Sequence, residues 1–166
     1  MVTGRLRYIQ GSRLFSLRSL GDRNMRRELD VLIVEDDPAQ VQLIRTLVQQ
    51  LELPHRFHNV SDGVKALDFL NHRPPFEEAA RPHLILLDLN MPGINGCEVL
   101  QSIKADPRYR SIPVVVLSSS ESLNDIQACY DRHANAYIHK PLGLEENLRI
   151  LSDLDRFWSD TVSLVD

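Results

Sequence analysis

From residue 30 onward the apolar positions fall into two alternating rhythms. Short aliphatic runs recur, and each is followed by a stretch with helical spacing. "DVLIVE" (30–35) predicts a strand, with Asp37 as a helix cap and Pro38 in the first helical turn behind it. In "AQVQLIRTLVQQLEL", Val41, Ile44, Leu47, Val48 and Leu51 mark one helical face, and Pro54 ends it. "HRFHNV" (55–60) reads as a weaker strand. "SDGVKALDFLNH" (61–72) is a turn and then a helix, with Val64, Leu67, Phe69 and Leu70 inward. The alternation continues through "HLILLD" (83–88), "GCEVLQSIKAD" (96–106), "IPVVVLSS" (112–119), "SLNDIQACYDRH" (122–133) and "AYIHK" (136–140). It closes with the helix "LEENLRILSDLDRFW" (144–158), in which Ile150, Leu151, Leu154 and Trp158 share a stripe. The segment "NHRPPFEEAARPH" (71–83), polar and with three prolines, is expected to be a surface connection.

Five strands alternating with five helices define an α/β fold with a doubly wound parallel sheet. Strands 1, 3 and 4 are continuous aliphatic runs, as burial of both sheet faces requires. In such sheets a site forms beyond the carboxyl ends of the strands. That rule collects Glu35 and Asp36 after strand 1, Asp88 after strand 3, Ser118 after strand 4 and Lys140 after strand 5.

Composition narrows the setting. The 166 residues, 43% hydrophobic and 25% charged, suit one globular domain, and no apolar run approaches the roughly 20 residues of a bilayer span. Charge is unevenly placed. Residues 1–29 hold seven Arg against Asp22 and Glu28, a net of +5, whereas residues 30–166 hold 12 basic and 21 acidic side chains, a net of −9. The acidic body argues against nucleic acid as a partner. The expected organisation is a basic extension (1–29) outside the core fold, then a domain at 30–158 and a tail at 159–166; the extension's composition resembles a transit peptide or short amphipathic arm, but the favoured reading is a poorly ordered extension or a start codon assigned upstream of Met25. Cys97 and Cys129 lack disulfide-framework or zinc spacing and suit a reducing, cytoplasmic compartment. The histidines at 55, 58, 133 and 139 read as surface or strand-end residues.

Three carboxylates brought to one point repel one another. A divalent cation and the Lys140 ammonium would relieve that repulsion, and Mg2+ suits a hard oxygen donor set. Asp36 and Asp88 would be direct ligands, the Asn90 backbone carbonyl a third, and Glu35 would act through water. A carboxylate oxygen of Asp88 can attack phosphorus to give an acyl phosphate. Ser118 and Lys140 would then meet the phosphoryl oxygens.

"VLIVEDD", "LILLDLNMPGINGCEVL", "IPVVVLSSS" and "ANAYIHKP", in this order and spacing, resemble the receiver domain of two-component response regulators. The resemblance covers roughly residues 30 to 155. It implies a flavodoxin-like sheet of order 2-1-3-4-5 and phosphorylation of Asp88 by a sensor histidine kinase. It also implies a Mg2+ site at Asp36, Asp88 and Asn90, with Glu35 in the acidic pocket. Ser118 stands at the switch hydroxyl position, where the family more often has Thr, and Tyr137 at the switch aromatic position. Lys140–Pro141 matches the family's lysine and its cis proline. Residues 84–120 and 124–141, with the ending "DRFWSDTVSLVD", are similar to single-domain regulators associated with bacterial phytochromes. That closer resemblance implies a phytochrome-type kinase and a homodimer through helix 4, strand 5 and helix 5. His83 departs from the aspartate common there before strand 3.

The expected function is therefore that of a single-domain phosphoacceptor, not an enzyme, in a phosphorelay acting by protein contact. Three other classes fit less well. An aspartyl-phosphate hydrolase usually wants a second acid two residues past its nucleophile, where this chain has Asn90. A nucleotide or flavin module needs a Gly- or Ser/Thr-rich loop after strand 1, where "EDDPAQ" would repel phosphate. A non-phosphorylated docking module would have no use for the full set of acids, hydroxyl and lysine.

Overall fold

A computed structural model describes residues 27–165. The five strands are β1 (Asp30–Val34), β2 (Arg56–Val60), β3 (Leu84–Asp88), β4 (Val114–Ser118) and β5 (Ala136–His139). They form one parallel sheet in the order β2-β1-β3-β4-β5. The order reverses beside β1, so the chain winds helices onto both faces and leaves a crevice between β1 and β3. The helices are α1 (Pro38–Gln50), α2 (Gly63–Leu70), α3 (Gly96–Ala105), α4 (Leu123–Asp131) and α5 (Leu144–Asp155).

Alternation along each strand divides the core into two layers. Leu32, Val34, Ile85, Leu87, Val114 and Val116 point to one face and meet Phe69 and Leu70 of α2, Leu100 and Ile103 of α3 and Cys129 of α4. Val31, Ile33, Leu84, Leu86 and Val115 point to the other, where Ile44 of α1, Leu154 of α5 and Trp158 cover them. The last turn after α5, Arg156–Thr161, widens into π-helical geometry and seats Trp158 on the sheet. Val162 and Leu164 pack on the same layer.

Side chains at the sheet's carboxyl edge start three of the helices. Asp37 accepts from the Ala39 N–H at 2.8 Å, Asp62 from Lys65 at 2.8 Å, and Asn95 from Glu98 at 3.0 Å. Val64 corrects the expected inward face of α2: it is 52% exposed. The helix begins at Gly63, whose bare Cα sits against Val99 and Ile94, so the next residue turns about 100° away from the sheet. The 71–83 segment is a chain of turns held by Phe76, which lies 5.4 Å from the Phe69 ring.

Two polar clusters sit at the opposite, amino-terminal edge. Asp30, 3% exposed, receives Arg56 through both Nε (3.0 Å) and Nη2 (3.1 Å) and pairs with His58 Nε2 at 3.0 Å. Burial alone would raise the Asp30 carboxyl, but the hydrogen bonds from His58 and Arg56 outweigh it and hold it below its ordinary value. His83 Nδ1 accepts from the Asp30 backbone N–H at 2.9 Å. His55 Nδ1 accepts from Leu29 N–H at 3.2 Å, and its Nε2 lies 2.8 Å from Asp155 Oδ1. The His55 side chain is therefore interior, 3% exposed; the residue does stand at a strand end, immediately before β2, but not at the surface. Its partner is 100 positions away in the chain, which strand periodicity does not register.

Candidate functional site

At the carboxyl edge, Glu35 and Asp36 follow β1 and Asp88 ends β3, with no more than 4.8 Å between any two of the ligand oxygens they offer. Glu35 and Asp88 are buried, at 4% and 5% exposure, while Asp36 is half-buried. Lys140 arrives from the end of β5, its Nζ 2.7 Å from Glu35 Oε2 and 3.0 Å from Asp88 Oδ2. Its backbone N–H donates to the Ser118 carbonyl at 2.8 Å, which fixes the lysine against the end of β4.

The electrostatics are tightly opposed. Burial raises the Glu35 carboxyl most; the Lys140 ammonium and the Asp37 N–H pull it down, Asp88 pushes it up, and the net direction is upward. Lys140 is lowered by burial, but Glu35 and then Asp88 outweigh that loss and raise it overall. One cation thus faces two buried carboxylates with a third beside them. The donor set is all hard oxygen, so it fits Mg2+ or a similar divalent cation, and Glu35, Asp36 and Asp88 are the carboxylates that could hold one.

The turn after β3 clears the site. Asn90 N–H donates back to Asp88 Oδ1 at 3.2 Å, and Gly93 takes φ +81°. Gly96 N–H donates to the Leu89 carbonyl at 3.1 Å, and a Cβ on Gly96 would lie 2.2 Å from the Asp88 carbonyl oxygen. Only glycine allows the start of α3 to pass so close behind the aspartate.

Ser118 is fully buried, and its Oγ accepts from Ser120 N–H at 3.1 Å and from Asn90 Nδ2 at 3.4 Å. Tyr137 donates its hydroxyl to the Ser120 carbonyl at 2.8 Å, and its backbone N–H donates to the Tyr130 hydroxyl at 3.2 Å. The chain that links β4 to α4 is thereby tied to β5. The residues expected from the strand ends, Glu35, Asp36, Asp88, Asn90, Ser118 and Lys140, all border this one edge. Tyr137 lies beside them, on the far side of Ser120.

One expectation fails. Among the described residues the cis peptide bond is Pro74–Pro75, so the bond before Pro141 is trans. Lys140 still spans both carboxylates, because its aim is set by the Ser118 carbonyl and the two acids. Sequence reasoning also passed over Ser120 and Asn95. The first joins Tyr137 to the Ser118 segment, and the second caps α3 beneath the site.

Residues 31–152 match the response regulator receiver domain family. The chain belongs to that family. Response regulator Rcp1 of Synechocystis is 37% identical over 134 residues, covering 81% of this chain and 91% of that one. The crystal structure of the phosphorylated cyanobacterial phytochrome response regulator RcpA superposes with a TM-score of 0.79 at 39% identity, covering 84% of this chain and all of that one. The Mn2+-bound form of Rcp1 gives a TM-score of 0.77 at 36% identity, over 83% of this chain and 99% of that one. The receiver domain accordingly fills most of this chain. No helix among the described residues is long and apolar enough to cross a membrane.

Proposed function

We propose that this protein is a cytoplasmic single-domain response regulator that takes a phosphoryl group onto Asp88 from a phytochrome-type histidine kinase, with Mg2+ bound at Asp36, Asp88 and the Asn90 carbonyl. The observation that carries this reading is the meeting of Asp88 with Glu35, Asp36 and the Lys140 ammonium at one buried edge. A carboxylate oxygen of Asp88 attacks the phosphorus of a phosphohistidine, the P–N bond breaks, and the imidazole leaves with the electron pair. Lys140, 3.0 Å from Asp88, offers its ammonium to the incoming phosphoryl oxygens. The buried Ser118 hydroxyl is the second donor, once it turns from its Ser120 and Asn90 partners. When bound, the divalent cation neutralises the carboxylates and the phosphoryl charge. Glu35 keeps Lys140 in place and would reach a bound cation through water.

Withdrawal of Ser118 toward the phosphoryl group pulls on the segment whose Ser120 carbonyl holds the Tyr137 hydroxyl. The output is a reshaped α4, β5 and α5 face. That face presents Leu123 at 81% exposure together with Tyr130, and β5 is an open sheet edge. A second copy of the chain is the occupant we assign to it, as a homodimer. The similarity to RcpA and Rcp1 supports the phytochrome-type kinase, and the Mn2+-bound Rcp1 structure supports the cation.

The test is intact-mass spectrometry after incubation with Mg2+ and acetyl phosphate, wild type beside Asp88→Asn. A Mg2+-dependent gain of one phosphoryl group, absent in the variant, is the expected result. No gain in wild type, with acetyl phosphate or with a phosphorylated phytochrome kinase as donor, would overturn the assignment.

A further inference from the structure

α1, α2 and α3 each begin with the side chain of their own N-cap residue bonded to a backbone N–H, but α4 does not. Its N-cap, Ser122, makes no side-chain bond of this kind. Asp125 stands three residues on, where an acid ordinarily reaches back to the N-cap N–H. Both groups are instead taken by a residue outside the helix. The Ser120 hydroxyl donates to Asp125 Oδ2 at 2.5 Å and accepts from the Ser122 N–H at 3.2 Å. The start of α4 is thus held through Ser120, which stands between the acid and the amide that the acid would otherwise cap.

The backbone of Ser120 faces the other way. Its N–H donates to Ser118 Oγ at 3.1 Å, and its carbonyl accepts the Tyr137 hydroxyl at 2.8 Å. One half-buried serine therefore grips the Ser118 hydroxyl with its N–H, β5 with its carbonyl and α4 with its side chain. Bonds that share one residue are coupled. While Asp125 holds the Ser120 hydroxyl, the Ser120 N–H stays aimed at Ser118 Oγ. Turning Ser118 toward the Asp88 edge takes that acceptor away, and Ser120 must then shift against the pull of Asp125.

We propose that Asp125 is a positioning residue for phosphoryl uptake: through Ser120 it latches Ser118 in its unphosphorylated orientation. The proposal rests on the reading of Asp88 as the phosphoacceptor. Asp125 is exposed on the first turn of α4 and is not one of the clustered acids Glu35, Asp36 and Asp88. It acts by lowering the population in which the Ser118 hydroxyl can meet an incoming phosphoryl group.

The experiment follows phosphoryl gain by intact mass, with acetyl phosphate or a phosphorylated phytochrome kinase as donor, across a range of Mg2+ concentrations. Wild type is compared with Asp125→Ala, Asp125→Asn, Ser120→Ala and the double variant Ser120→Ala/Asp125→Ala. Opening the latch removes one hydrogen bond that the competent orientation has to break, so uptake should rise about three- to tenfold in Asp125→Ala and in Ser120→Ala. Asp125→Asn keeps an acceptor oxygen and should fall between wild type and Asp125→Ala. The double variant should match Ser120→Ala alone, because both residues reach Ser118 by one route. The Mg2+ concentration for half-maximal uptake should be the same in all five proteins, since the latch leaves the clustered carboxylates untouched. Uptake in Asp125→Ala equal to or slower than wild type, additive effects in the double variant, or a displaced Mg2+ dependence would overturn the latch and leave the Asp88 assignment standing. No uptake in any of the five from either donor would remove both.

Discussion

Replacing Lys140 by Met keeps the length of the side chain and removes its charge. Nζ lies 2.7 Å from Glu35 and 3.0 Å from Asp88, and the two carboxylates are nearly inaccessible to water. At an effective dielectric constant of about 20, those distances correspond to gross attractions of about 6 and about 5.5 kcal/mol. Most of that offsets the cost of withdrawing the ammonium and both carboxylates from water. What the substitution exposes is the residue of this balance: two buried like charges with no cation between them. Breaking a buried pair in this way costs about 3–5 kcal/mol. With an m-value near 2 kcal/mol/M, the urea midpoint of K140M in EDTA should fall by roughly 1.5–2.5 M. Saturating Mg2+ should return part of the loss, since a cation at 100 times its Kd adds about 2.7 kcal/mol to the state that binds it. Adding Glu35→Gln to K140M should also recover stability, because it deletes one of the stranded charges. A midpoint unchanged in K140M, or a loss indifferent to both Mg2+ and Glu35→Gln, would refute the electrostatic account of this edge.

Asp30→Asn should cost about 1–2 kcal/mol near neutral pH, kept modest because Arg56 is largely solvent-exposed. Since folding lowers the Asp30 carboxyl, its contribution is present above the ordinary carboxylate range and is lost as pH falls through the lowered value. The gap between variant and wild type in urea midpoints should therefore close below about pH 4, and a gap that widens there would refute the pairing. His55→Phe removes the acceptor of the Leu29 N–H and one partner of the buried Asp155 carboxylate, which keeps the Ser159 hydroxyl at 3.2 Å, so chemical denaturation should report a loss of about 1–3 kcal/mol; less than about 0.5 kcal/mol would mean that water or other groups replace the imidazole. Gly96→Ala forces a methyl into the Asp88 carbonyl and the Leu89 Cα, with an expected loss of about 2–3 kcal/mol by thermal unfolding and a lower rate of phosphoryl uptake from acetyl phosphate. Wild-type uptake in that variant would show that the turn behind Asp88 tolerates displacement.

Much of this molecule was legible in its residue order. Runs such as Leu84–Leu87 and Val114–Val116 are aliphatic on both alternating faces, and only a sheet covered on both sides buries them all. Once the strands are parallel, their carboxyl ends must share an edge, so Glu35, Asp36, Asp88, Ser118 and Lys140 converge wherever the helices lie exactly between them. One capping residue likewise announced itself locally: Asp37 bonds a backbone N–H two residues on, whereas the caps at Asp62 and Asn95 were not read from the sequence. Tertiary structure decided the rest, because partners far apart in the chain leave no periodic trace. His55 pairs with Asp155, and Asp30 gathers Arg56, His58 and His83, all across crossings between elements. Val64 turned outward because the true first residue of α2 was a glycine jammed against α3, a contact no helical wheel contains. The Lys140 ammonium is directed by two carboxylates from elsewhere in the chain, Glu35 just beyond β1 and Asp88 at the end of β3. Patterning states which side of an element is buried; the element packed against it determines what each buried polar atom meets.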